Sequence, residues 1–334
     1  MDAPLPQIGP HVGRLFAAKG APLLAHIEAA ADLARGRKFR MGAFQVFLGP
    51  PRQLKITTSL EEAGEIRKFL EGARAGRSPL VGFAHTSHLA FPWPGDDSEA
   101  EAARRRYPQA HIRHEASVAK CAGLSGVVVH LPTAKVGESA EATIARTAAV
   151  VPLLLDADSA PVYFEMPASG RPAFGTPAQL KLFIDKLAAT LPPPLMERVG
   201  LCVDTAHLWS CGQDVADPAA MAEWLRNFEP VAEALRDARR QGRDARSCRV
   251  LFHLNDSELA LDSKKDKHAG LGAGQIWPKD SPHATDSLKL IIDFASERGI
   301  PIILERTDKD GPTQIKSILS DFALIGGLLP AACL

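Results

Sequence analysis

The chain has 334 residues, of which 46% are hydrophobic, 23% charged and 6% aromatic, a balance that excludes a disordered or collagen-like polypeptide and supplies ample material for a core. Its 39 Lys and Arg residues are cancelled by 39 Asp and Glu. No overall basic field is therefore available to attract nucleic acid or an anionic membrane, and any polyanion must find a local positive site.

The length divides into two domains of ordinary size, yet one α/β barrel with long loops fills it alone. The cysteines, Cys121, Cys202, Cys211, Cys248 and Cys333, are odd in number and far apart, with no C-x-x-C pair. This argues against a disulfide scaffold and for a reducing intracellular compartment, cytoplasm or nucleus. The first residues lack the basic and apolar regions of a secretion signal, so the protein is not expected to be secreted. The most apolar stretch, 148–155, is far short of the ~20 residues that cross a bilayer and contains Pro152.

Along the chain, short β-rich apolar runs alternate with longer Ala/Leu/Glu/Arg-rich segments of helical period, the pattern of βαβ units with buried parallel strands. Eight such runs occur, at 7–12, 42–48, 80–85, 126–130, 161–165, 199–204, 249–254 and 301–305. Their ends, marked by His11, Phe47, His85, His130, Glu165, Asp204, His253 and Glu305, are 35 to 52 residues apart, room for one strand, one helix and two loops each time. The expected fold is a single α/β domain, a (β/α)8 TIM barrel with its core at about 7–326, a long loop after the seventh strand and a last helix near 314–324. The basic stretch 236–249, interrupted by Asp237 and Asp244, reads as a solvated helix face and turn.

Six of the eight runs end in a residue able to bind a metal or move a proton: His85, His130, Glu165, Asp204, His253 and Glu305. In a barrel these ends converge on the face that carries the active site. Two local pairs add to them. Asp204 and His207 are separated by a three-residue step on the turn leaving the sixth strand. Asp266 and His268 lie at i and i+2, on one side of an extended segment, just before the loop Ala269-Gly270-Leu271-Gly272-Ala273-Gly274. Five imidazoles and four carboxylates, with no thiolate, suit Zn2+ or Mn2+ better than Mg2+. Nine ligands exceed the needs of one ion and would hold two or three. Three divalent ions would bring +6 against −4 from Glu165, Asp204, Asp266 and Glu305, leaving about +2 at the pocket floor to attract a phosphate.

These stretches resemble the endonuclease IV type of apurinic/apyrimidinic endonuclease, also called AP endonuclease family 2, a group of zinc-dependent DNA repair nucleases on a (β/α)8 barrel. The resemblance extends from Ile8 to Glu305. It rests on Ile8-Gly9-Pro10-His11-Val12, Ala84-His85-Thr86-Ser87, Val129-His130-Leu131-Pro132, Val203-Asp204-Thr205-Ala206-His207, Phe252-His253-Leu254-Asn255-Asp256, Asp266-Lys267-His268 with its glycine-rich continuation, and Ile303-Leu304-Glu305.

The resemblance implies that His85 and His130 hold one zinc, Asp204, His253 and Glu305 a second, and His207, Asp266 and His268 a third, with Glu165 bridging the first two. Glu165 and Glu305 would be the catalytic carboxylates. The implied reaction is hydrolysis of the phosphodiester 5′ to an abasic site in double-stranded DNA, leaving a 3′-hydroxyl, as a step of base excision repair. Activity on blocked 3′ ends as phosphatase, phosphodiesterase or exonuclease would share the same step. Arg52 matches a family arginine that enters DNA, where its planar fork contacts phosphate and stacks on bases. His88 stands where the family often has a tyrosine that inserts into DNA. Lys264, Lys265 and Lys267 would contact phosphate if their loop lines the groove. His11 is expected to support a ligand by a hydrogen bond rather than to bind metal. Two further departures are Met166, where the family usually has Asn, and Leu131-Pro132-Thr133-Ala134 in place of Pro-Gly-Ser-His. No membrane partner is expected, and the enzyme would act as a monomer. The competing readings are a single-metal sugar isomerase or epimerase on a similar barrel and a lesion-binding protein that has lost catalysis.

Overall fold

The computed structural model describes residues 6–14, 16–74, 80–96, 98–168, 171, 173–236, 249–281, 285–306 and 311–329. In chain order the strands are β1 (Ile8–Pro10), β2 (Ala43–Val46), β3 (Val81–His85), β4 (Gly126–His130), β5 (Val162–Glu165), β6 (Val199–Asp204), β7 (Val250–His253), β8 (Asp256–Ser257), β9 (His268–Ala269) and β10 (Ile302–Leu304). The helices are α1 (Leu23–Gly36), α2 (Leu60–Arg74), α3 (Glu99–Cys121), α4 (Ala140–Val150), α5 (Pro177–Thr190), α6 (Pro193–Met196), α7 (Thr205–Ser210), α8 (Pro218–Ala234), α9 (Asp286–Arg298) and α10 (Gly311–Leu328).

Eight strands form one parallel sheet in the order β1-β10-β7-β6-β5-β4-β3-β2. The two end strands meet at a seam made of one parallel bridge, His11 to Gln45. Two backbone bonds flank that bridge, Gly42 N–H to Ile8 O at 2.9 Å and Val12 N–H to Gln45 O at 2.6 Å. The eight expected strands are all present, trimmed by up to two residues at an end, so that His11, Phe47 and Glu305 lie just past their strands. Helices flank the sheet, as a parallel sheet buried on both faces requires.

Local sequence accounts for the helix boundaries that aim the strands. Ser98 caps α3 by accepting from Glu101 N–H at 3.2 Å, with Glu99 and Glu101 in the first turn and Lys120 in the last, matching the helix dipole. Thr176 and Gln179 form a reciprocal capping box on α5, with Pro177 at its first position. Gly299 ends α9 with a left-handed φ of 64°, a conformation that costs glycine little. The barrel interior holds a compact layer of Ala43, Phe83, Val128, Tyr163, Cys202, Leu251 and Ile303. The larger apolar core lies between strands and helices.

Three sequence expectations are refined. The turn after β6 is a short helix, α7. The loop after β7 carries a two-stranded antiparallel ribbon, β8 with β9. The last helix is longer than 314–324. Most of the basic stretch, 237–248 with Asp237, Asp244 and Cys248, lies outside the described residues, as does Cys333. Its flanking Arg236 pairs with Glu233, and Arg249 Nε donates to Val199 O at 2.9 Å. Cys121, Cys202 and Cys211 are free thiols. Among the described residues no helix is long and apolar enough to cross a membrane.

Candidate metal centre

Strand register assembles the site. Parallel pairing sets His130 beside Glu165 across β4 and β5, and Asp204 beside His253 across β6 and β7. His85 ends β3, and Glu305 follows β10, its N–H donating to Asn255 Oδ1 at 2.9 Å. Ligand atoms within 4.8 Å of one another then fall into groups: His85, His130 and Glu165; Glu165, Asp204, His253 and Glu305; and Asp204, His207 and His268. A further such group joins the thiol of Cys202 to Glu165 and His253.

Glu165 lies between the first two groups. Its Oε2 is 3.1 Å from His85 Nε2 and 3.3 Å from His130 Nε2, and its Oε1 is 3.0 Å from His253 Nδ1. Asp204 is shared as well, with Oδ2 3.8 Å from His253 Nδ1, 3.9 Å from His207 Nε2 and 3.6 Å from His268 Nε2. Its placement beside the third group as well as the second extends the ligand set that the resemblance implies. Asp266 joins the third group from its rim, 3.6 Å from His207 Nε2 and 3.0 Å from His268 Nε2. Its side chain is 48% exposed, whereas those of His207 and Asp204 are 2% and 0% exposed.

The imidazoles are held so that one nitrogen of each faces the carboxylates. A carbonyl oxygen can only accept, so His85 Nδ1 donates to Thr86 O at 2.8 Å and His207 Nδ1 donates to Met166 O at 2.8 Å. Nε2 of each is then the nitrogen left for the carboxylates, with His85 Nε2 hydrogen-bonded to Glu165 Oε2 at 3.1 Å, and it would offer its lone pair to a cation that takes the place of the proton. His207 Nε2 and both ring nitrogens of His268 are buried and make no well-formed hydrogen bond among the described residues, although Asp266 lies 3.6 Å from the first and 3.0 Å from His268 Nε2. Buried polar atoms are rarely left unpaired, and the donor set of imidazole and carboxylate suits a divalent metal. The residues fit such ions.

Electrostatics agrees. Burial pushes the Glu165 carboxyl up, but His130, His253 and His85 overcome it and hold the group well below the usual range. Glu305 behaves alike, burial being outweighed by His253, His11 and His85. In Asp204 burial prevails and raises the pKa despite His207 and His268. Burial lowers His130 to about 4, so it is a neutral donor. His207 and His268 resist burial and are raised by Asp204 and Asp266. Without a cation, protons on these rings balance the carboxylates.

Behind the ligands lies a polar frame that the sequence did not disclose. Gln45, fully buried on β2, contacts His253, Glu305 and His11. Asn255 Nδ2 donates to Asp204 Oδ2 at 2.6 Å, and its Oδ1 accepts from Arg306 Nη1 at 3.2 Å. Arg306 in turn forms a buried ion pair with Asp321 of α10. Asp256 accepts from the N–H groups of Ser257, Gly272, Gly274 and Ile276 at 2.8 to 3.1 Å. The glycine-rich loop therefore wraps a carboxylate. Gly272 sits at φ +76°, and a Cβ at Gly274 would strike the Asp256 carboxylate and Ser257 O. The available signals were a glutamine within an apolar strand and the Asn-Asp step after His253.

The expected DNA-contacting residues rim the same face. Arg52 is exposed on a loop tied to the next by Ser87 Oγ and His88 N–H, which donate to Pro51 O at 3.0 and 2.9 Å. His88 is exposed and lies over His130, ring centroids 6.2 Å apart. Lys264 pairs with Asp262 and Lys267 with Glu258, while Lys265 is exposed. His11 contacts Gln45, and its Nδ1 lies 3.4 Å from Glu305 Oε1. Met166 is buried and contributes its carbonyl to His207, and Leu131 N–H donates to Glu165 O at 2.7 Å.

A parallel eight-stranded barrel with imidazoles and carboxylates gathered at its strand ends defines the class: a TIM barrel with a candidate multi-metal centre. The family described as xylose isomerase-like TIM barrel matches residues 33–281, and the chain belongs to that family. A relative from African swine fever virus (isolate Pig/Kenya/KEN-50/1950), named "Probable AP endonuclease", is 25% identical over 295 residues, 87% of this chain and 88% of the relative. The structure described as "AsfvAP:AG" superposes with a TM-score of 0.81 at 23% identity, covering 98% of this chain and 100% of that one. Endonuclease IV from Thermus thermophilus gives 0.65 at 22% identity, covering 96% and 98%.

Proposed function

We propose that the protein is a metal-dependent DNA repair nuclease that hydrolyses the phosphodiester 5′ to an abasic site, with two or three divalent ions, Zn2+ foremost and Mn2+ in some positions. The observation that carries the reading is the third group, in which His207 and His268 gather against Asp204 with Asp266 at 3.6 and 3.0 Å from their Nε2 atoms. A sugar isomerase of the same fold needs one ion and gives these residues no task. The relatives' names support the choice of DNA as substrate.

His85, His130 and Glu165 would hold one ion, Glu165, Asp204, His253 and Glu305 the second, and Asp204, His207, Asp266 and His268 the third. Bound there, the ions would lower the pKa of water and offset the charge that gathers on a phosphate in displacement. Glu165 and Asp204 each serve two groups, so they set the spacing on which in-line geometry depends. Arg52 and His88, on loops stitched through Pro51, grip and stack on the substrate, and Lys265 adds a phosphate contact. Burial of Glu165 and His253 keeps bulk water from competing for the carboxylates. The enzyme would act as an intracellular monomer, and blocked 3′ ends would be further substrates of the same step.

The test is incubation of purified protein with an abasic-site duplex, with and without a chelator, alongside metal analysis. Chelator-sensitive incision and two to three ions per chain are expected. One ion with turnover of a ketose or aldose would establish the isomerase, and tight lesion binding by metal-replete protein without incision would establish a retired sensor.

A further inference from the structure

His85 and His207 have their ring protons fixed by backbone carbonyls, Thr86 O and Met166 O. His253 does not. Its Nε2 lies 2.9 Å from Gln45 Oε1, while Gln45 Nε2 lies 2.6 Å from Glu305 Oε1 and 2.9 Å from His11 Nδ1. Neither end of this amide is ambiguous. The ionised carboxylate of Glu305 can only accept, so the end facing it is the NH2 group and the end facing His253 is the carbonyl. A carbonyl facing Nε2 requires the hydrogen there, so Nδ1, which lies 3.0 Å from Glu165 Oε1 and shares a proton with it when no ion is present, is the nitrogen left to offer a lone pair to an ion among Glu165, Asp204 and Glu305. The second hydrogen of the amide requires a lone pair on His11 Nδ1, which makes His11 an Nε2–H tautomer.

We infer that Gln45 is a positioning residue for the second ion site, setting the tautomer of His253 and the orientation of Glu305 through the two ends of one amide. The inference rests on the metal-dependent reading proposed above. Gln45 is completely buried, and its backbone belongs to the His11–Gln45 bridge that closes the barrel, so the amide has one position from which to act. Partners that orient a metal-binding histidine characteristically alter metal affinity and turnover without touching substrate.

Gln45→Met preserves approximate volume and removes both ends of the amide. Gln45→Glu keeps an acceptor for His253 Nε2 and removes the donors to Glu305 and His11. In Gln45→Met, competition with a chelating dye should show one ion weakened by roughly tenfold to a hundredfold, with kcat reduced and KM nearly unchanged. Nitrogen-15 spectra of histidine-labelled protein should show the His253 Nε2–H form in wild type, a mixture of tautomers in Gln45→Met, and the wild-type form in Gln45→Glu, which should also keep more metal than Gln45→Met. Thermal unfolding of the metal-free proteins controls for folding, and if Gln45→Met is unfolded, Gln45→Glu carries the test: with the donor to Glu305 gone it should bind one ion more weakly and lose kcat relative to wild type while keeping the wild-type tautomer. A purely structural role would lower that melting point without moving the tautomer. Wild type with no bound ion would refute the metal reading itself. Wild type with two or three ions, together with variants equal to it in metal affinity, kcat and His253 tautomer, would overturn the role of Gln45 alone.

Discussion

The first two ligand groups and the third are built differently. His85, His130, Glu165, Asp204 and His253 stand at the ends of barrel strands, where sheet register fixes their spacing. His207 sits on α7, a six-residue helix capped by Asp204 itself, and Asp266 and His268 come from the ribbon segment after β8. That segment carries Asp262 and Lys264 in the left-handed region and leaves Asp266 half-exposed. Strand ends hold ligands through the whole sheet, whereas loops hold them through a few local hydrogen bonds, so the two halves of the centre should differ in affinity and exchange.

The most severe way to break this comparison is Glu165→Gln, which removes the carboxylate common to the first two groups. We expect incision to fall by at least about 10³-fold, with metal content reduced and the circular dichroism of the barrel retained. Next, Asp256→Ala strips four N–H groups, two of them in the glycine-rich loop, of their acceptor. It should destabilise the protein by about 2–4 kcal/mol in urea unfolding and release the third ion before the others.

Asp266→Ala tests the third group at its exposed rim. Loss of one ion by elemental analysis and roughly a tenfold to hundredfold drop in turnover are expected, with the first two groups still loaded. Equal loss of all ions would show that the halves are not separable.

The smallest effect separates pH response in the barrel wall from that of the ligands. Glu115 of α3 is buried, its Oε2 making no hydrogen bond and lying 3.8 Å from His111 Nε2, and burial pushes its pKa up to about 8. Its folded pKa exceeds the unfolded value of about 4.3, so its contribution is intact at acid pH. It is lost as pH rises from there through about 8, where only the unfolded state releases the proton freely. Glu115→Gln should flatten that slope and raise stability near pH 9 by about 1–3 kcal/mol in denaturant melts, leaving incision unchanged.

The barrel and the side chains gathered at its strand ends were legible because apolar runs and polar end residues are local features. His85, His130, Glu165 and Asp204 each close a run whose burial the sequence announces. The Asp204 to His207 step was visible as a spacing, but its realisation as a capped helix depends on Asp204 accepting from His207 N–H. Gln45 was not legible. Within an apolar strand it reads as an interruption, and the partners that explain it, His253 and Glu305, lie 208 and 260 residues away. Asn255 is similar, since its acceptor Asp204 is brought to it by sheet order rather than by the chain.

The joint between β1 and β2 is the narrowest in the ring, one bridge wide. Gln45 stands there with its amide on Glu305 and His253, so an ion captured by those two would also fasten the cylinder shut. Cofactor loading would thereby become a clasp for the fold. Amide hydrogens of Val12 and Gly42 should exchange faster in chelated protein, while those deep in β5 and β6 stay protected.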